Sequence, residues 1–313
     1  MSYGFANIKI KKINTEIASI IIDEQKTYNS LSFKNLTDLL KALKKLDTDK
    51  KIKVIILEGA GKGFSAGHNL KEVRGLKKRD KYQKLFNLCS KVMLQIVEGR
   101  KPVIAKVHGA AFAAGCQLVA SCDLAYSTND ALFATPGVNI GLFCSTPMVA
   151  VSRKINRKPM MKMLLTGEPI KANYAKEIGL INDCYLKSKL NSEVLKVAKT
   201  IASKSNLTIK IGKQTFYKQL EMPLRKAYSY TSNTLFIGTP AGTGSIAIGG
   251  KFYLDQQANI FNLVNSAFTV ANTAAASGAS YAFNHANAAF DSANSAATLQ
   301  SGINATQNTN ITN

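Results

Sequence analysis

The 313-residue sequence lacks the features that mark several large protein classes. No apolar run approaches the roughly 18 residues that a membrane-spanning helix requires, and the N-terminal segment MSYGFANIKIKK has no apolar core of signal-peptide length. The five cysteines are odd in number and show no CxxC spacing, so we expect free thiols and no zinc or other metal site. These absences predict a cytoplasmic protein that has no membrane partner.

Arginine is scarce relative to lysine. The 41 basic residues include 6 Arg, and with 19 acidic residues they give a formal net charge of +22. Proteins that read nucleic acids favour the bidentate guanidinium of Arg over the point charge of Lys. We therefore expect no nucleic-acid partner, although a surface of this charge would attract small anionic ligands.

Charged residues almost disappear after residue 235. Residues 236–313 contain three of them, Lys251, Asp255 and Asp291. The same segment repeats an AFxxAN unit three times. This pattern is typical either of an Ala-rich coiled stalk, similar to the stalk repeats of phage tail fibres, or of a low-complexity disordered segment. We predict a globular domain over residues 1–235 and an Ala/Asn/Ser-rich tail of foreign origin over residues 236–313.

Strand-like and helix-like segments alternate before residue 235. Short runs of β-branched and other apolar residues predict strands at 17–22, 54–57, 103–107 and 124–126. Amphipathic periodicity predicts helices at 33–46, with Ser32 as the N-cap, at 82–97 and at 192–203. This alternation indicates an α/β fold with largely parallel strand pairing.

Two glycine-rich segments follow the second and third of these strands. They are EGAGKGFSAGHNL at 58–70 and VHGAAFAAGCQL at 107–118. A strand that enters a glycine-rich turn can aim backbone N–H groups at an anion or at a developing oxyanion. Lys62 is followed by glycine rather than Ser or Thr, so the first segment is not a phosphate-binding P-loop. Each segment taken alone is also compatible with a close-packed turn that binds nothing.

Four motifs taken together, FSAGHNL, VHGAAFAAGCQLVASCDLAYS, FATPGVNIGLF and LLTGEPIKANYAKEIGLIND, resemble the crotonase (enoyl-CoA hydratase/isomerase) superfamily in order and spacing. The resemblance runs from about residue 8 to about residue 234 and is closest to the enoyl-CoA hydratase domain-containing protein 3 group. It implies a crotonase-like ββα spiral with a helical C-terminal region. It also implies an acyl-CoA thioester as the substrate and no separate cofactor. The superfamily's last helix has no counterpart after Thr234, so we expect truncated C-terminal helices.

The resemblance also implies which groups react. In this superfamily two backbone N–H groups form an oxyanion hole for the thioester carbonyl, and the matching groups are those of His68 and Ala114. The two glutamates with which hydratases activate water correspond to Gln117 and Gly137. Because a positioned acid–base group contributes typically about 10²–10⁴ in rate, we expect hydration to be slow or absent. The imidazole of His68 is a further acid–base candidate.

Nine more residues are expected from the resemblance to bind the acyl-CoA substrate. They are Lys26, Tyr28, Lys62, Ala66, Asn69, Leu70, Phe112, Pro136 and Leu142. A solvated loop lysine is the simpler interpretation of Lys62. The superfamily's assemblies imply a homotrimer or a dimer of trimers, provided that the truncated C-terminal region allows it.

Three functions remain open from the sequence. The first is an enzyme of fatty-acid or acyl-CoA metabolism, nominally a hydro-lyase or isomerase. The second is an acyl-CoA-binding protein without turnover, which the residues at positions 117 and 137 favour. The third is a structural or fibre-associated fusion product, which the tail favours.

Overall fold

The computed structural model describes residues 5–232, 234 and 290–291. Its strands are β1 (Ile8–Lys12), β2 (Ile17–Ile22), β3 (Val54–Gly59), β4 (Val103–Val107), β5 (Ala110–Phe112), β6 (Leu124–Thr128), β7 (Leu132–Ala134), β8 (Ile170–Lys171) and β9 (Asp183–Tyr185). Its α-helices are α1 (Phe33–Thr48), α2 (Leu70–Gly75), α3 (Arg79–Glu98), α4 (Ala114–Ser121), α5 (Ser145–Val151), α6 (Arg157–Thr166), α7 (Ala172–Glu177), α8 (Lys187–Ala202), α9 (Asn206–Leu220) and α10 (Leu224–Ser232). Short 3₁₀ helices lie at Gln25–Thr27 and Pro136–Ile140.

The larger sheet has six strands in the order β1-β2-β3-β4-β6-β9. Strand β1 pairs antiparallel with β2, and every later neighbour in this sheet is parallel. A second sheet of three strands has the order β5-β7-β8. The predicted α/β class with largely parallel pairing is therefore confirmed. Parallel pairing also places the carboxyl ends of β2, β3, β4 and β6 at one edge of the sheet.

Helices cover both faces of this sheet, and the strands between them are buried on both sides, as parallel strands usually are. Helices α1 and α3 turn their apolar stripes to one face, where Leu39 and Ile96 are fully buried. Helix α8 covers the other face, where Val194 packs with Ile56 of β3. The predicted N-cap is confirmed, because the side chain of Ser32 accepts a hydrogen bond from the Asn35 amide.

The predicted helices and strands are present, but several begin or end elsewhere. Helix α8 starts at Lys187, five residues before the predicted start at 192. The segment KSKLN that opens it is mostly polar, so its periodicity is weak, and only the burial of Leu190 shows that this turn faces the core. Strand β6 continues two residues past the predicted end, to Thr128.

Helix α9 is held to the sheet by a buried polar network. The Nζ atom of Lys213 donates to Asp123 at 2.8 Å, to the carbonyl of Ile96 at 2.7 Å and to the carbonyl of Lys101 at 2.8 Å. The hydroxyl of Tyr217 donates to the second carboxylate oxygen of Asp123 at 3.0 Å. Residues 90 or more positions apart thus form one ion-pair network.

In the described part of the chain, no helix is both long enough and apolar enough to cross a membrane. The predicted boundary at residue 235 lies outside the described residues, as does all of the repeated tail except Phe290 and Asp291, which are helical. The division into domains and the nature of the tail therefore stay predictions.

Candidate functional site

The two glycine-rich loops meet at the carboxyl edge of the larger sheet. One follows β3 and the other follows β4, and these strands are parallel neighbours. The amides of Phe64 and Ser65 both donate to the carbonyl of Ala110 at 3.0 Å, and the amide of Phe112 donates to the carbonyl of Ser65 at 2.9 Å. These hydrogen bonds hold the loops side by side as a short strand-like ladder.

Gly67 brings the first loop against the start of α4. Its φ is +90°, a value that favours glycine, and a Cβ there would lie 2.9 Å from the Phe112 carbonyl and 3.1 Å from the Ala114 nitrogen. Ala113, which precedes α4, also has a positive φ, with φ 48° and ψ −115°. Strained backbone of this kind is concentrated at functional sites.

Two amides next to this contact have no acceptor among the described residues. Ala114 is the first residue of α4, so its N–H has no carbonyl partner within the helix. The N–H of His68, which follows Gly67, likewise donates to no described protein atom, although the Leu31 amide donates to the Gly67 carbonyl at 2.7 Å. The expected pair of donors therefore lies on two loops that touch.

The imidazole of His68 is turned to helix α3. Its Nδ1 atom lies 3.2 Å from the Leu31 carbonyl, and its ring meets Phe86 edge-on with centroids 5.2 Å apart. The Nε2 atom is buried and has no hydrogen-bond partner within the described ranges. Burial lowers the pKa of His68, and the hydrogen bond with Leu31 opposes this only in part. The ring is therefore neutral at pH 7, with the proton on Nδ1 and a free lone pair on Nε2.

Gln117 is the fourth residue of helix α4, and its exposed fraction is 3%. Its Oε1 atom accepts a weak hydrogen bond from the Cys89 thiol, with Sγ 3.9 Å away. Burial raises the pKa of Cys89 to about 12, so this thiol stays protonated. Neither group exchanges a proton readily near neutral pH.

Gly137 lies in the 3₁₀ helix Pro136–Ile140, in a space that has no room for a side chain. A Cβ there would lie 2.7 Å from the Leu142 carbonyl and 2.9 Å from the Sγ atom of Cys144. The Gly137 amide donates to the same Sγ at 3.3 Å. The Cys144 thiol therefore fills the volume into which a side chain at position 137 would begin.

The residues expected to bind the substrate are divided between surface and interior. The exposed ones are Lys26, Tyr28, Lys62, Ala66, Leu70 and Leu142, whereas Asn69, Phe112 and Pro136 are half-buried. Tyr28 and Ala66 are joined, because the Ala66 amide donates to the Tyr28 carbonyl at 2.9 Å. The side-chain oxygen of Asn69 caps α2 by accepting from the amides of Lys71 and Glu72. Lys62 makes no side-chain hydrogen bond or ion pair with the described residues.

The sequence interpretation missed Phe86 and Cys89 as neighbours of the site. Both lie on α3, at least 18 residues from the groups they contact, and no local motif marks them. His108 is structural, as its Nε2 atom lies 2.9 Å from the Gly61 carbonyl and so joins the two loops. Among the described residues, no three His, Cys, Asp or Glu side chains are grouped as metal ligands would be.

Comparison with known proteins agrees with this architecture. The sequence model of the enoyl-CoA hydratase/isomerase family matches residues 12–258. The chain belongs to this family. It is 45% identical over 219 residues to human enoyl-CoA hydratase domain-containing protein 3, covering 70% of this chain and 72% of the relative. The rat protein of the same name is 44% identical over the same length, covering 73% of that relative.

Solved structures of this enoyl-CoA hydratase/isomerase family are similar as well. The human domain-containing protein 3 has a TM-score of 0.71 at 43% identity, covering 72% of this chain and 89% of that one. An enoyl-CoA hydratase of Mycobacterium smegmatis has a TM-score of 0.70 at 41% identity, covering 72% and 87%. The crotonase fold and the domain-containing protein 3 group, both predicted from the motifs, are confirmed.

One expectation is wrong. We expected a cytoplasmic location from free cysteines and the N-terminal segment, but the rat, mouse and human relatives are named as mitochondrial proteins. Free thiols fit any reducing compartment and so could not distinguish the two locations. The family match also reaches residue 258, beyond the predicted boundary at 235.

Proposed function

We propose that this chain acts on an acyl-CoA thioester, whose carbonyl oxygen accepts hydrogen bonds from the N–H groups of His68 and Ala114. The observation that carries the proposal is that both amides lack an acceptor among the described residues at the point where the two loops touch. A buried amide without a partner costs free energy comparable to a lost hydrogen bond, so a ligand acceptor is the expected partner.

This arrangement favours negative charge on the thioester oxygen. Ala114 opens helix α4, whose N-terminus carries a partial positive charge. Backbone donors in a fixed geometry need no reorganisation as charge develops, and removing one such donor costs about 10²–10³ in rate in other enzymes. Because these donors are backbone atoms, they tolerate changes in the neighbouring side chains.

The acid–base part of a hydratase is not matched by the residues at the expected positions. Gln117 offers an amide that can orient a water or a carbonyl but does not exchange protons, and Gly137 offers no side chain. We therefore propose chemistry that depends on carbonyl polarisation, with hydration of a simple enoyl-CoA slow or absent. His68 supplies the nearby candidate base, through the lone pair of its buried Nε2 atom.

A second candidate function is acyl-CoA binding without turnover. The packing around Gly137 favours it, since the Cys144 thiol and the Leu142 carbonyl fill the volume of a catalytic side chain. Under either function, the family context favours a homotrimer or a dimer of trimers, and the names of the relatives favour a mitochondrial setting.

The first experiment removes one donor and leaves the helix intact. Proline is tolerated at the first position of a helix, where it deletes an N–H that has no helical partner. Ala114→Pro should therefore weaken the binding of crotonyl-CoA by about tenfold or more, as expected for a lost hydrogen bond to developing charge. Arg157→Pro is the control for a proline at the first position of a helix, since Arg157 opens α6. Because Ala113 is not extended, unlike Asn156, circular dichroism of both variants must first show wild-type helix content.

Two measurements separate the outcomes. Calorimetry gives the affinity of each variant, and the infrared stretch of a ¹³C-labelled thioester carbonyl reports its polarisation in the bound state. A carbonyl band shifted to lower frequency in the wild type and in Arg157→Pro, but not in Ala114→Pro, supports the proposal. An unshifted band in the wild type would exclude the oxyanion hole. Loss of enone absorbance then distinguishes turnover from binding alone.

A further inference from the structure

A cavity of about 640 Å³ lies away from the two loops. Its lining is rich in lysine. The residues around it are Asp47, Thr48, Lys50, Lys53, Arg100, Lys101, Lys204, Ser205, Asn206, Leu207 and Lys210. This volume is within the range of pockets that hold small-molecule ligands, about 300–1,000 Å³.

The cavity lies at the amino edge of the larger sheet. Lys53 immediately precedes β3, and Lys101 lies two residues before β4. The loops of the proposed acyl-CoA site follow the carboxyl ends of the same two strands. Because β3 is six residues long and each residue advances about 3.3 Å, the cavity and the acyl-CoA site are separated by roughly 20 Å.

The cations in this lining are poorly balanced by carboxylates. Six basic side chains face one acid, Asp47. One oxygen of Asp47 accepts hydrogen bonds from the amides of Arg100 and Lys101, and the other lies 3.9 Å from the Arg100 guanidinium. Lys53 is paired with Glu16 at 2.7 Å.

The other four lysines of the lining form no ion pair within 4.0 Å of a carboxylate among the described residues. They are Lys50, Lys101, Lys204 and Lys210. Concentrating this much positive charge around one concave surface is unfavourable unless an anion enters it. The arrangement therefore indicates an anionic ligand.

Lys101 is the most informative of these lysines. It is 5% exposed, and its Nζ atom makes one long hydrogen bond, 3.3 Å to the Oδ1 atom of Asn206. Burial lowers the pKa of Lys101, and the negative charges of nearby Asp47 and Asp49 offset this lowering only in part. An ammonium group has three donors, so two remain for a ligand.

Helix α9 adds backbone donors to the same lining. It begins at Asn206, and Ser205 caps it by accepting from the Thr208 amide. Asn206 and Leu207, in the first turn, line the cavity and have N–H groups without helical partners. An N-terminus of a 15-residue helix beside a buried ammonium is a favourable place for phosphate oxygens.

We propose that this cavity binds a small phosphorylated anion, between pyrophosphate and a nucleoside diphosphate in size, through Lys101, Lys204, Lys210 and the first turn of α9. This site is separate from the acyl-CoA site and does not depend on the function proposed for it. The sequence predicted only that a positively charged surface attracts small anions, whereas this proposal assigns three of the lysines to one binding site.

The test measures binding of pyrophosphate and of ADP to the full chain by isothermal titration calorimetry at low and moderate salt. Lys204→Glu/Lys210→Glu should weaken the affinity for pyrophosphate by about tenfold or more, because two charged contacts are replaced by repulsive ones. The wild-type affinity should also fall as the salt concentration rises. Lys101→Met should abolish binding. If Lys101→Met fails to fold, Lys204→Glu/Lys210→Glu still tests the proposal, because Lys204 is exposed and Lys210 is half-buried.

Two controls make the result specific. Lys41→Glu/Lys196→Glu changes the net charge equally at exposed positions on α1 and α8 and should leave the affinity unchanged. Lys62→Glu, on the first loop, should also leave it unchanged. The proposal is overturned if neither pyrophosphate nor ADP binds, if the exposed control weakens binding as much as the cavity variant, or if Lys62→Glu does so.

Discussion

The Gly137 amide donates a hydrogen bond to the Sγ atom of Cys144, 3.3 Å away, and the same sulfur lies 2.9 Å from the place of a Cβ on Gly137. Position 137 is where hydratases of the family are expected to carry a catalytic glutamate. The Cys144 thiol thus lies where a side chain at position 137 would begin. We therefore expect that placing a carboxylate there requires more than one substitution.

We expect Gly137→Glu to destabilise the fold without restoring hydration. Overpacking of a filled interior costs typically about 1–3 kcal/mol, and the Leu142 carbonyl at 2.7 Å is backbone that cannot turn away. Gln117→Glu, which adds no atoms, should fold. Chemical denaturation gives the free energy of unfolding, and enone absorbance gives the hydration rate. In Gly137→Ala, adding Cys144→Ala should recover part of the loss, and equal stability with and without that change would contradict the packing argument.

Gly67→Ala should disrupt acyl-CoA binding. An alanine would be strained at the φ of +90° found here, and its Cβ would lie 3.1 Å from the Ala114 nitrogen. We expect this contact to force the two loops apart. Calorimetry with an acyl-CoA should show a loss of about tenfold or more, the effect of one hydrogen bond to a charged or polarised group. Gly75→Ala is the control, since a Cβ there meets nothing within 4 Å. Undiminished affinity in Gly67→Ala would place the ligand elsewhere.

His68 should make the stability depend on pH on the acid side of neutrality. Its folded pKa lies below the ordinary value of 6.5 because of burial. Between those two values the unfolded chain holds a proton that the folded chain does not. The stabilisation is therefore complete above about pH 6.5 and is lost as the pH falls through the lowered folded pKa.

The check is a denaturation series from pH 7.5 down to pH 5, comparing the wild type with His68→Asn. The amide nitrogen of asparagine can replace Nδ1 in the contact with Leu31. The difference in unfolding free energy between the two proteins should shrink as the pH falls. A difference that stays constant over this range would show that His68 titrates alike in both states.

Lys213→Met should strongly destabilise the protein. Its side chain is 6% exposed and pairs with Asp123 at 2.8 Å. Removing one partner of a buried ion pair costs about 3–5 kcal/mol, because the other charge is left uncompensated. Tyr217→Phe, which removes one hydrogen bond to Asp123, should cost about 1–3 kcal/mol.

The matched control is Lys84→Met, whose partner Asp80 lies 3.9 Å away in an exposed pair. Exposed pairs contribute about 0–1 kcal/mol, so thermal unfolding of this variant should be close to that of the wild type. If Lys213→Met and Lys84→Met had similar melting temperatures, the network would not be what anchors α9.

The fold was predictable from the sequence where local signals were strong. The β-branched runs and the stripe of leucines on α1 marked their elements because strands buried on both faces are continuous apolar runs and an amphipathic helix has a period of 3.6 residues. The start of α8 at Lys187 was missed because its first turn is mostly polar, and the end of β6 at Thr128 was missed because that residue pairs with Tyr185, which is distant in the chain. The four motifs also identified the family, because their order and spacing along the chain match those of the family.

The site was predictable only in part. The sequence placed His68 and Ala114 on two loops, and the structure shows those loops joined, with neither amide donating to an acceptor in the part of the chain that it describes. The contact of His68 with Phe86 and the closed volume at Gly137 carry no local signal. They depend on which side chains the packing of α3 and α5 brings to the loops.

The sequence by itself determined the α/β class, the family and the residue types at the positions proposed to react, because these follow from local periodicity and from motifs read in order. Only the tertiary structure decided that Cys144 occupies the space beside Gly137, that Lys213 reaches Asp123, and that scattered lysines gather around one cavity. The physical reason is that packing brings together elements that are distant in the chain, such as those carrying Asp123 and Lys213, 90 positions apart, and no local pattern in the sequence records those contacts.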